Sequence, residues 1–163
     1  MSKKITIALI AILLVSIIVG IVLYFVVFTR KTISAADLKA LLEKNDYVVI
    51  DMDTSVYGEE KCIYAQTKDY TTMVEFFDFK SEEEAKNTFN EKYIGDIEDT
   101  KNVKEKVDRP DYQRIVLETE KDIFNQNYGI AIRVKDTILM IMTTDLDKEN
   151  DINNLIRSFN YLD

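Results

Sequence analysis

The chain reads as an α+β protein: an amino-terminal transmembrane helix, then an antiparallel sheet of about six strands with three helices. Three observations point there. Ile5 to Phe28 holds no charged residue. Downstream, β-rich stretches of alternating pattern follow one another through short turns. Between and after them lie three segments with helical apolar spacing, and runs of strands set between helices define the α+β class with helices on one face of the sheet.

The apolar run sits between Lys3-Lys4 and Arg30-Lys31. As a helix it would be roughly 36 Å long, enough for the ~30 Å bilayer core. A cleaved signal peptide has a shorter apolar region, of about 7 to 15 residues. The expected division is a short head at 1–4, a transmembrane helix at 5–28 and an α+β domain at 32–163. The Met-Ser-Lys-Lys head reads as a signal anchor that places the domain outside the cell, although the Lys and Arg count beyond the run leans the other way.

Ser34-Ala35-Ala36-Asp37 has capping-box spacing ahead of Leu38, Leu41 and Leu42, which predicts a helix over Ala35 to Lys44. Asn45-Asp46 ends it, and Tyr47 to Met52 reads as a strand. Lys61 to Thr67 and Thr71 to Phe79 form a hairpin across Lys68-Asp69-Tyr70. Ser81-Glu82-Glu83-Glu84 is a second capping box, followed by Ala85, Thr88, Phe89 and Tyr93 at helical spacing and by Gly95 as a stop. Asp96 to Asp111 is charged, contains the single proline, Pro110, and reads as a loop. Arg114 to Thr119 and Tyr128 to Val134 alternate as strands. Ile138 to Met142 is continuously apolar and is expected at the centre of the sheet, covered on both sides. Ile152, Leu155, Ile156 and Phe159 give an amphipathic carboxy-terminal helix over about Lys148 to Asn160.

Composition excludes several functions. The formal net charge is −8, and four of the basic residues flank the apolar run, so the rest of the chain is more acidic still. Nucleic acid is not an expected partner. With no histidine, Ser-His-Asp and Cys-His catalysis and the usual zinc sites are unavailable. The single cysteine, Cys62, permits no internal disulfide and sits in a strand pattern as a small core residue. Eight of the nine tyrosines fall after the apolar run, mostly at core spacing, which predicts packing and not a ligand platform.

The Met-Ser-Lys-Lys anchor, the Ser-Ala-Ala-Asp-Leu helix leading to Asn-Asp-Tyr-Val-Val, and Val74 to Phe79 running into Ser-Glu-Glu-Glu-Ala-Lys-Asn-Thr-Phe carry a likeness. The chain resembles small membrane-tethered or lipid-anchored proteins of Gram-positive bacteria. That resemblance transfers no functional residue.

The sharpest local signal is Val48-Val49-Ile50-Asp51-Met52-Asp53-Thr54-Ser55, an apolar strand ending in Asp-x-Asp-x-Ser. It is similar to the first motif of haloacid dehalogenase-type phosphatases, which implies Asp51 as nucleophile and Asp53 as general acid and base beside Mg²⁺. Met140-Ile141-Met142-Thr143 resembles that family's second motif. The hairpins contradict its parallel α/β fold, and no later lysine and acidic pair completes the set. As a calcium loop, Asp51, Asp53, Ser55 and Glu59 take positions 1, 3, 5 and 9, but Val56 stands where glycine is needed and Cys62 where a bidentate glutamate is needed. Asp51, Asp53, Glu59 and Glu60 remain weak candidates for a divalent cation, and no cofactor is expected.

The function these features imply is a non-enzymatic, single-pass anchored domain that binds or supports a cell-envelope component. A small Mg²⁺-dependent hydrolase using Asp51 and Asp53 is one alternative. A regulatory subunit of a membrane complex is the other.

Overall fold

The computed structural model describes residues 12–20, 31–52, 57–95, 103–118, 128–159 and 161. The chain divides into two units, Met1–Lys31 and Thr32–Asp163.

In the first unit, residues 12–20 form a helix, α1, with every residue exposed. The spanning helix expected over Ile5 to Phe28 is corrected here: among the described residues no helix is long and apolar enough to cross a membrane. The head at 1–4 and the remainder of the expected span lie outside the described residues. With the spanning helix go the grounds for a signal anchor, for the membrane as partner and for an extracytoplasmic placement.

The second unit begins with α2, Ala35–Lys44, where the Ser34 hydroxyl accepts from the Asp37 amide at 3.1 Å and donates to the Asp37 carboxylate at 2.7 Å. That local bonding satisfies amides which the first helical turn leaves without partners. Ala35, Leu38 and Leu42 are its buried positions. Asp46, at φ 65°, turns the chain into β1, Tyr47–Met52. β2, Lys61–Thr67, and β3, Thr72–Asp78, form a hairpin in which the Asp69 carboxylate accepts from the Thr71 amide and hydroxyl at 3.2 and 2.8 Å. α3, Glu82–Phe89, is capped by Ser81, which accepts from the Glu84 amide at 3.2 Å. A π-helical turn, Asn90–Gly95, extends it.

Among the described residues the sheet has seven strands, against the six expected. β4, Val103–Arg109, pairs with β5, Tyr112–Glu118, inside the stretch read as a loop. The pattern hid it because β4 is an edge strand, almost wholly exposed, so it has no need of an apolar face and its charges protect the edge from further pairing. β6, Tyr128–Val134, and β7, Thr137–Thr143, follow, joined at Lys135 with φ 51°. The order is β1-β2-β3-β7-β6-β5-β4 with every neighbouring pair antiparallel. β7 therefore lies in the middle, with Ile138, Leu139 and Ile141 buried. A 3₁₀ turn, Leu146–Lys148, leads into α4, Glu149–Ser158.

Helices lie on both faces of the sheet, which corrects the one-face expectation. On the first face α2 and α4 close over Ile63, Ala65, Val74, Phe76, Ile130, Ile132, Leu139 and Ile141. On the second, α3 contributes Ala85 and Phe89 to a smaller cluster with Cys62, Phe77, Ile115, Ala131 and Ile138. The reason is in the central strands: β6 and β7 carry apolar side chains on both sides, so one layer of helix leaves half of that surface in water.

Two polar clusters tie the ends together. The Tyr161 hydroxyl, wholly buried, accepts from the Ile33 amide at 3.2 Å and lies 2.6 Å from the Thr137 hydroxyl. Arg133, also buried, donates to Gln113 at 2.6 Å and to the backbone carbonyls of Lys135, Arg109 and Pro110 at 2.9, 3.3 and 2.8 Å. Gln113 in turn donates to Asn90 at 2.8 Å and Asp108 at 3.0 Å, so one guanidinium joins the β4–β5 and β6–β7 turns and, through Gln113, the π-helical turn.

Candidate functional site

The residues singled out by sequence are not brought together. Asp51 lies on the β1 edge and pairs with Lys39 of α2. Its hydrogen bond to Asp51 holds the Lys39 ammonium above the ordinary lysine value. Glu59 is buried and accepts from the Tyr57 amide at 2.6 Å. Glu60 is exposed, and its amide donates to the Asp78 carbonyl at 2.7 Å. Asp53 lies outside the described residues. Among the described residues no group of three or more His, Cys, Asp or Glu could hold a metal ion. The phosphatase-like pairing of Asp51 with Thr143 also fails in space. By register Asp51 aligns through Ile63 and Phe76 with Leu139, while Thr143 aligns with Thr72, toward the opposite end of the sheet and three strands across.

Cys62 is buried between Met52 and Phe77, and burial, reinforced by Glu59 and Glu75, pushes its thiol up to about 11. A thiol so shifted is inert near neutrality. Tyr112, Tyr128 and Tyr161 are core residues, while Tyr57 and Tyr70 are exposed singly.

The built recesses lie beside α4, whose inner residues Ile152 and Ile156 are buried in the first-face core. The pattern fixes what its two flanks present. On one flank Glu149, Asn153 and Arg157 recur every four residues and form a single stripe along the helix. That stripe faces β4 and β5 across a cleft of about 560 Å³. Val116, Tyr128 and Ile130, all buried, make its floor. Lys104, Glu105 and Arg114 form the opposing wall. On the other flank Asp151 and Leu155 face Leu41, Lys44 and Tyr47 across a second cleft of about 550 Å³.

The first cleft is laced by charge. Lys104 reaches Glu118 at 2.7 Å and Glu149 at 3.6 Å, and the hydrogen bond to Glu118 raises its proton affinity. The Tyr128 hydroxyl donates to Asn153 at 3.4 Å, and burial shifts that phenol up. Arg114 donates through Nη2 to Glu105. Desolvation by burial is the largest single influence and opposes its charge, but the interactions with Glu105 and Tyr112 together outweigh it and keep the guanidinium above its ordinary value. The Arg114 Nε is buried and, among the described residues, has no hydrogen-bond partner. Arg157 donates to Asn154 at 3.4 Å. None of these residues stands out in the sequence, because charged positions on an edge strand and on the polar flank of a helix are what any solvated surface shows. Only the register of β4 against β5 places them opposite α4.

No protein-family model matches the chain, and no curated protein matches it. The Gram-positive likeness gains no support there. A structural likeness exists to a GTP binding regulator from Thermotoga maritima, at 11% identity, covering 78% of this chain and 84% of that one with a TM-score of 0.46. At that level it carries no argument about function.

Proposed function

We propose that the Thr32–Asp163 unit is a non-enzymatic binding domain whose ligand lies against α4. The observation that supports this is the cleft between α4 and β4–β5, which has an apolar floor and charged side chains converging from two walls. Recesses of a few hundred Å³ with convergent polar groups are a common form of small-ligand site, and this one is lined mainly by polar and charged side chains. The hydrolase alternative has less to stand on, since Asp51 is committed to Lys39 at a sheet edge. The envelope component expected as partner rested on the spanning helix, and nothing about the clefts points to it.

The test has two arms on the full-length chain. Amide shift mapping against a panel of small organic acids, amines and sugars is expected to perturb residues lining the α4 clefts. Turnover of p-nitrophenyl phosphate with Mg²⁺ is expected to be absent. Mg²⁺-dependent turnover that disappears in Asp51→Asn would overturn the reading, as would a panel that perturbs no part of either cleft.

A further inference from the structure

We propose that the cleft between α4 and β4–β5 binds a small monocarboxylate with an apolar body, and that Glu105 holds the carboxylate's place in the free protein. This rests on the binding-domain reading and gives it a ligand class.

The argument starts at Arg114. The Nε and Nη2 hydrogens of a guanidinium form one edge, two parallel donors matched to the two oxygens of a carboxylate. On this edge Glu105 takes Nη2, and among the described residues the buried Nε beside it has no hydrogen-bond partner, although Tyr112 also interacts with the guanidinium. The fork is thus engaged at one point of two. A buried donor without an acceptor is a standing cost that a second carboxylate oxygen would remove. Glu105 is free to leave, because its side chain is 47% exposed, against 17% for Arg114, and its carboxylate would return to water on an open edge strand.

Charge balance selects the ligand's valence. Lys104, Arg114 and Arg157 are matched in and beside the cleft by Glu105, Glu118 and Glu149. Once Glu105 swings out, one positive charge is uncompensated, which suits one carboxylate and not a phosphate dianion. Val116, Tyr128 and Ile130 close the bottom of the cleft and are nearly shut off from solvent, so the rest of the ligand meets only a narrow apolar strip there between polar walls. The volume of about 560 Å³ lies in the range of small-ligand pockets.

The probe is 3-phenylpropionate, titrated into the full-length chain by calorimetry with amide shift mapping, against 3-phenylpropionamide and inorganic phosphate. Glu105→Gln is expected to bind 3-phenylpropionate more tightly than the parent chain, because the competitor is gone. Arg114→Gln is expected to weaken it by about tenfold or more. Neither the amide nor phosphate should bind this cleft. Should Arg114→Gln fail to fold, the Glu105→Gln comparison decides alone, since that position is on an exposed edge. Equal affinity of Glu105→Gln and the parent would overturn the inference. So would equal binding of the amide, or Arg114-dependent binding of phosphate. If the acid panel perturbs only the cleft between α2 and α4, this inference falls while the binding-domain reading stands. No perturbation at either cleft overturns both.

Discussion

The two faces of the sheet are closed by different means. On the first, two helices lie over the strands and the core is continuous from Leu38 and Leu42 through Phe76, Leu139 and Ile141 to Ile152 and Ile156. On the second, α3 and the π-helical turn cover one region, and Val48, Ile50 and Met52 stand 44, 47 and 42% exposed along β1. The second face also tolerates Glu75 in mid-strand and a buried Arg133, both on the side of Phe77 and Ile138. The difference teaches where stability and tolerance reside: one face is held by apolar burial, the other by a smaller apolar cluster plus a polar network.

Phe76 and Phe77 put this to the hardest test, being consecutive residues on opposite faces, both buried. Phe76→Ala is expected to cost about 3 to 5 kcal/mol, because the cavity is enclosed on every side. Phe77→Ala should cost less, since its neighbours near the β1 edge can relax into the space. Urea denaturation of both variants measures it, and equal costs would erase the distinction between the faces. Next in size, Arg133→Met should cost about 1 to 3 kcal/mol, by leaving Gln113 and the carbonyls of Arg109, Pro110 and Lys135 without their donor. A neutral or stabilising result would mean the second face is apolar in its energetics after all.

Glu75 gives a smaller effect with a defined sign. Burial raises its carboxyl above the ordinary value of 4.5, so the native state binds the proton more strongly than the unfolded chain. Stability must then fall as pH rises from that ordinary value through the raised one, and the loss is fully present above it. Glu75→Gln is expected to remove this fall, making the variant the more stable chain at pH 7 but not at pH 4. Denaturation midpoints across that range check it, and a parent curve that rises in this window instead would contradict the burial. The smallest effect is expected at the open end of the second face: Val48→Thr should alter stability by no more than about 0.5 kcal/mol. A larger loss would show that β1 is covered in solution.

How much of this was legible in the sequence varies with the kind of signal. The caps at Ser34 and Ser81, the helices that follow them and the central strand at Ile138 to Met142 were readable, because capping geometry and a long apolar run are local properties. β4 was not, because an edge strand can be charged throughout. The second-face placement of α3 was missed for another reason: Ala85 and Phe89 show that α3 has a buried side but not which side of the sheet it meets. The cleft beside α4 was invisible, since Arg114 and Glu105 meet only through the register of β4 on β5. The acidic residues around Asp51 attracted attention through spacing alone, and the fold gives Asp51 and Glu59 ordinary partners.

The position of β7 has a consequence for how the chain is made. The strand that bridges the sheet is the last to be synthesised, and it alone joins the β1-β2-β3 meander to β4-β5-β6. Thr72 meets Thr143 across 71 positions. On the ribosome, β3 and β6 must each wait with an open flank until β7 arrives between them, and α4 cannot seat before that. A nascent chain stopped ahead of Thr137 thus carries two unfinished half-sheets with strongly apolar borders. Such a product would be a natural client for chaperones, and the final strand works as a closing stitch that commits the whole domain at once.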